Sequence, residues 1–128
     1  IVLGKSLGGG IASELAGRES PGALILQSTF TSIPDLGSEL FPWLPVRKLH
    51  RIHYDTVNRL PSLRLPVLVA HSRTDDLIRF HHAERNFAAA NAPKELLEIA
   101  GNHVSVIEDG RAEYLAGLDR FLIKHLPA

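Results

Sequence analysis

Cysteine is absent from the 128 residues. That excludes a disulfide framework, a thiolate nucleophile and any zinc site built on sulfur, and it leaves the redox compartment open. An excess of one charge is absent as well. Fourteen basic and fourteen acidic side chains cancel, so no net field holds the chain on nucleic acid or an anionic membrane. No apolar run approaches the roughly 18 residues of a membrane-spanning helix. Internal repeats, low-complexity tracts and long charge blocks are also missing. Methionine does not occur, and the chain opens on Ile1-Val2-Leu3-Gly4, already inside an apolar run. The expectation is the C-terminal part of something longer.

What is present is a globular composition, 45% apolar and 22% charged, too apolar for disorder. Short apolar runs alternate with helical patterns. Ile1-Val2-Leu3, Ala23-Leu24-Ile25-Leu26 and Pro66-Val67-Leu68-Val69-Ala70 read as buried strands, and Glu95-Leu96-Leu97-Glu98-Ile99 as a shorter one. Ile11, Ala12, Leu15 and Ala16 fall at helical spacing in a helix expected to stop near Gly17. Helices are also expected over 79–91 and 112–125. Strands without polar alternation, separated by helices, predict a parallel sheet covered on both faces. The segment from about 29 to 65 breaks this rhythm with Pro34, Pro42, Pro45 and Pro61 beside Phe41 and Trp43. It is expected to be an irregular, partly helical insertion.

Gly4-Lys5-Ser6-Leu7-Gly8 has the form G-x-S-x-G, directly after a strand and before a helix. Such a turn forces the central residue into a strained backbone conformation and lifts its hydroxyl above the sheet. Glycines two positions either side are expected to leave room for the crossing strand and helix. The amide of Leu7, at the helix N-terminus, is a candidate donor to a developing oxyanion. A serine hydroxyl at neutral pH needs a base to take its proton and an acid to orient that base. In a parallel sheet these belong at the C-terminal ends of later strands. Two loops qualify, one running from His71 to Ile78 with Asp75 and Asp76, the other running Ala100-Gly101-Asn102-His103. The order Ser, Asp, His is therefore expected on three successive strand ends.

These three segments resemble the α/β-hydrolase fold, near its serine aminopeptidase, acyl-protein thioesterase and dienelactone hydrolase-like branches. Ile1 to Gly9 is similar to the family's nucleophile elbow on its fifth strand. Pro66 to Ile78 is similar to its PVLxxHGxxDxxVP segment, and Gly101-Asn102-His103 to the loop that carries the histidine. The resemblance implies a three-layer α/β/α fold holding strands five to eight, hence a partial domain over residues 1–128. It implies Ser6 as nucleophile, Asp75 as acid and His103 as base, acting on an ester, thioester or amide in a small-molecule or acyl substrate, without cofactor or metal. It also implies a lid in the 29–65 segment, where Phe41 and Trp43 either line a pocket or pack ordinarily. Ser72 stands where the family usually has Gly, and Arg79 where it has Pro. Asp76 beside Asp75 leaves a one-residue ambiguity, and members with the acid one strand earlier make Asp35 an alternative. Strands before the elbow, and a loop with the second oxyanion donor, are not in the sequence. The bare Ile1-Val2-Leu3 edge is then an aggregation hazard.

Other residues have blander readings. His81 and His82 are adjacent, so on a helix their side chains are expected to diverge by about 100° and to sit on a solvated face. The same reading serves His50 and His53, for which no third ligand is evident. His71 is expected to anchor the acid loop by hydrogen bonding. Asp55 and Arg59 are expected to pair, and Arg73 to be solvated near the mouth. Two rival functions remain: a nucleotide-binding loop, since Gly4-Lys5-Ser6 matches the end of that motif, and a non-catalytic binding module of hydrolase-like fold.

Overall fold

Short apolar runs that must be covered on both faces become the four strands of the protein: β1 (Val2–Lys5), β2 (Leu24–Gln27), β3 (Val67–Ser72) and β4 (Lys94–Ile99). The structure is a computed structural model and describes residues 1–49 and 51–126. The strands form one parallel sheet in the order β1-β2-β3-β4, with Gly4, Leu26, Val69 and Leu96 abreast across it. The C-terminal strand ends therefore share one rim.

Side-chain alternation divides each inner strand between two layers. Leu24, Leu26, Val67 and Val69 face helix α1 (Gly8–Glu19) and a later helix, α5 (His81–Ala89). Ile25 and Leu68 face the C-terminal helix α7 (Arg111–His125), where Phe121 is wholly buried. Ala70 and Ile99 pack on the same side with Val106 and Tyr114. The arrangement is a three-layer α/β/α sandwich. α1 runs past Gly17, correcting the expected stop, and ends where Ser20 turns left-handed at φ 45°. An interior glycine costs a helix about 1 kcal/mol, and burial of Ala12 and Ala16 under the sheet offsets it.

Between β2 and β3 lie α2 (Ile33–Leu40), α3 (Val46–Leu49), α4 (Thr56–Arg59) and a 3₁₀ turn, Leu60–Ser62. Ser32 caps α2 by accepting from the Asp35 amide, and Pro34 sits in its first turn. The segment is tied to α1 as well as to itself. Arg59 donates to the Gly10 carbonyl and to Ser13 Oγ, and Tyr54 packs where a Cβ on Gly10 would stand. Arg59 does not pair with Asp55, which instead accepts from Asn58. Phe41 and Trp43 meet edge to face at 6.2 Å, and Trp43 stays 78% exposed, so ordinary core packing does not describe them. The His50 and His53 pairing falls partly outside the described residues, because His50 is not among them. At the other end of the sheet β1 has no outer neighbour among the described residues, and Ile1 and Leu3 remain 64% and 48% exposed.

Candidate active site

The chain passes from β1 into α1 within two residues, and Ser6 absorbs the turn at φ 52°. A non-glycine residue there is strained and persists only where its surroundings hold it. Three contacts hold it. The Ser6 amide donates to the Gln27 carbonyl at 2.9 Å, the Ser6 carbonyl accepts from the Gly9 amide at 3.0 Å, and Thr29 Oγ1 donates to that same carbonyl at 2.5 Å. Space explains Gly4, where a Cβ would stand 2.6 Å from the Ala12 Cβ. It does not explain Gly8, where an added Cβ meets nothing within 4 Å; Gly9, pressed on Thr29, is the tight position instead. Thr29 lies beyond the apolar part of β2, and no motif in the sequence points to it.

Ser6 Oγ lies 3.1 Å from His103 Nε2, and His103 Nδ1 lies 2.9 Å from Asp75 Oδ2. The other Asp75 oxygen accepts the amides of Leu77 and Ile78 at 3.0 and 2.8 Å, and the Asp75 side chain is 1% exposed. A carboxylate so occupied presents an acceptor to Nδ1–H. That fixes the imidazole tautomer and turns the Nε2 lone pair toward the serine hydroxyl. The Leu7 amide, one residue on, has no acceptor among the described residues. The three side chains stand on the ends of β1, β3 and β4, with β2 intervening, so the expected three successive ends are corrected to three of four.

The two neighbouring carboxylates have different partners. Asp75 reaches the imidazole, while Asp76 Oδ1 accepts the backbone amide of His103 at 3.1 Å. Asp35 lies elsewhere, lining a polar cavity of about 340 Å³ with Arg47, His53 and Arg85. There it accepts from Thr31 Oγ1 at 2.6 Å and Arg47 at 2.5 Å. Burial pushes its carboxyl upward, but that hydrogen bonding and the Arg47 and Arg85 charges outweigh burial and hold it below the usual carboxylate range. His71 Nε2–H donates to the Ile78 carbonyl at 2.7 Å, bracing the acid loop, and burial lowers its pKa despite the Asp75 carboxylate 3.4 Å away. Arg73 is not free at the mouth. It forms a two-pronged pair with Glu98 and lies over Phe80.

His81 and His82 depart most from their expected solvated face. Their rings lie 4.3 Å apart because both turn to one acceptor, Glu39, at 2.6 and 3.1 Å, and His82 is wholly buried. Three ligand-type atoms thus come within 4.8 Å, a grouping the sequence does not suggest because Glu39 arrives from α2. His82 Nδ1, however, accepts the Thr31 amide at 3.1 Å, so its proton sits on Nε2 and points at Glu39. As arranged, His82 has no lone pair free for a cation.

The phosphate-loop alternative fails on geometry as well. Gly4 and Lys5 belong to β1, and the helix opens only at Gly8, so no cradle of successive amides precedes the lysine.

No family model matches the chain. It is 39% identical over 122 residues to an uncharacterized protein of Mycobacterium tuberculosis, covering 94% of this chain and 43% of that protein. The chain spans less than half the length of the curated relatives it matches. Among solved structures, the esterase domain of a Rhodothermus marinus protein superimposes with a TM-score of 0.72 at 20% identity, over 96% of this chain and 59% of that one. An α/β-hydrolase enzyme from a sediment metagenome of the Mar Chica lagoon gives 0.70 at 16% identity, over 95% and 60%. The sheet and its helices therefore have the α/β-hydrolase fold.

Proposed function

We propose that the chain carries the catalytic residues of a serine hydrolase acting on an ester, thioester or amide. The observation that supports this best is the unbroken contact from Ser6 Oγ through the His103 ring to the buried Asp75 carboxylate, between residues 97 apart in sequence. In the reaction, Ser6 Oγ bonds to the substrate carbonyl carbon as its proton passes to His103 Nε2. The carbonyl oxygen, now negative, accepts from the Leu7 amide. Collapse breaks the bond to the leaving alcohol, thiol or amine, which takes the proton from His103, and water repeats the sequence on the acyl-serine. Asp75 stabilises the transient imidazolium and keeps Nε2 aimed at Oγ.

The fold similarity supports reading residues 1–128 as strands five to eight of the complete fold. In that reading the open β1 edge meets a preceding strand, and a loop before β1 gives the second oxyanion donor. Turnover by this chain alone is then weak. The test is labelling with a fluorophosphonate, whose phosphorus the activated hydroxyl attacks with loss of fluoride. A mass adduct on Ser6, lost in Ser6→Ala, is the expected result. A parent protein left unlabelled while folded overturns the proposal in favour of a non-catalytic binding module.

A further inference from the structure

The acid loop reaches the histidine loop with more than Asp75. Ser72 Oγ donates to the Gly101 carbonyl at 2.5 Å, and Thr74 Oγ1 donates to the same oxygen at 3.0 Å. Asp76 Oδ1 accepts the His103 amide at 3.1 Å. All three contacts fall on main-chain atoms of 101–103, where the residue at 101 must be left-handed, at φ 98°. Ser72 is the position at which the sequence departs from the glycine of its resemblance. A glycine there has no hydroxyl to donate, so the departure itself creates the shortest of the three contacts.

We propose that Asp76, with Ser72 and Thr74, is a positioning clamp that sets the His103 ring by holding its backbone, a role that rests on the serine hydrolase reading. The imidazole is then fixed twice over. Asp75 orients the ring through Nδ1, and Asp76 locates the residue that bears it. The histidine loop's own contacts do not supply this. Asn102 Oδ1 accepts the amides of Val104 and Ser105 and shapes the turn from within, without reaching the acid loop. Among the described residues, the side-chain hydrogen bonds that reach residues 101–103 from β3 and the loop after it come from Ser72, Thr74, Asp75 and Asp76. A displacement of about 1 Å at a reacting group costs on the order of a hundredfold in rate, so the clamp acts on Ser6 chemistry without touching substrate.

The experiment compares Asp76→Ala, Asp76→Asn and Ser72→Gly by two readouts: hydrogen exchange of the His103 amide by NMR, and the rate of fluorophosphonate labelling at Ser6. An asparagine oxygen still accepts from the amide, so Asp76→Asn keeps both rates near those of the parent. Asp76→Ala speeds His103 exchange about tenfold or more, as loss of the hydrogen bond to its amide should, and slows labelling by a similar factor. Ser72→Gly, which introduces the residue of the resembled family and so tests the clamp should the alanine variant not fold, speeds exchange about fivefold. Unchanged exchange in both Asp76→Ala and Ser72→Gly overturns the clamp. Asp76→Asn labelling as slowly as Asp76→Ala also overturns it, and assigns Asp76 a role that needs its charge. A protected His103 amide in a parent that does not label supports the clamp contacts and overturns the hydrolase reading instead.

Discussion

Among the described residues two arrays bring hydroxyl, imidazole and carboxylate together, and they differ in which lone pairs and protons are already engaged. At the sheet rim stand Ser6, His103 and Asp75. Under α2 stand Thr31, His82 and Glu39, with Thr31 Oγ1 3.1 Å from Nδ1 and Glu39 3.1 Å from Nε2. The separations match closely. The protons do not. His82 Nδ1 already accepts a backbone amide, and the Thr31 hydroxyl gives its proton to Asp35 at 2.6 Å. No vacant lone pair faces a transferable proton. His103 Nε2 faces a hydroxyl with no other acceptor among the described residues. What separates the two hydroxyl–imidazole pairs is thus whether the ring nitrogen that faces the hydroxyl, and the hydroxyl itself, are already engaged, which a list of residues near one another does not contain.

Replacing the two histidines breaks that symmetry most sharply. His103→Ala is expected to reduce labelling of Ser6, and hydrolysis of an activated ester by whatever length of the protein turns over, by about 10⁴-fold or more. His82→Ala is expected to leave the rate per folded molecule within a few-fold. Comparable losses in both variants would sink the distinction. The carboxylates sharpen it one step further. Asp75→Asn leaves the shape but offers Nδ1 the wrong partner, with an expected loss of up to about 10⁴-fold. Glu39→Gln leaves an acceptor for only one of the two imidazoles, which face different carboxylate oxygens, yet should change labelling by less than a few-fold, since neither ring stands at the rim.

At the rim the sequence signals are local. G-x-S-x-G between a strand and a helix, and acid and histidine loops after apolar runs, announce their positions within a few residues. A parallel sheet then brings strand ends together whatever the intervening chain does. The second array was invisible for the converse reason. Glu39 and Thr31 belong to the irregular segment after β2, and their meeting with α5 depends on how α2 turns, which no periodicity encodes. The adjacency of His81 and His82 even argued the wrong way, because helical spacing constrains where Cβ atoms point but not two flexible rings drawn to a shared carboxylate. Asp76 and Ser72 were legible as residues and not as contacts.

If the buried array is structural, its loss should appear in stability. His82→Leu fills the space but leaves the Thr31 amide buried without its acceptor, and a cost of about 1–3 kcal/mol is expected in urea unfolding. His103→Ala, at a partly open site, is expected to cost less. A larger cost for His103→Ala than for His82→Leu would remove the structural half of the comparison.

The smallest expected effect is in the pH dependence of stability, where the buried rings share a sign. Burial lowers the pKa of both His82 and His71 below 6.5, against the opposing pull of Glu39 and Asp35 on the first and of the Ile78 carbonyl and Asp75 on the second, while His81, and at His71 also His103, reinforce the lowering. A base whose folded pKa is depressed binds fewer protons folded than unfolded at pH values between the two. Its contribution is therefore complete above about 6.5 and is lost as pH falls toward the folded value, by no more than about 1.4 kcal/mol per pH unit for each ring. The melting temperature should accordingly hold level from pH 8 to about 7 and decline below that. His82→Leu, although less stable at pH 8, has one such ring fewer and should decline less steeply. Parallel curves for the two proteins would mean that His82 binds its proton as readily folded as unfolded, and that the amide from Thr31 does not hold the ring neutral.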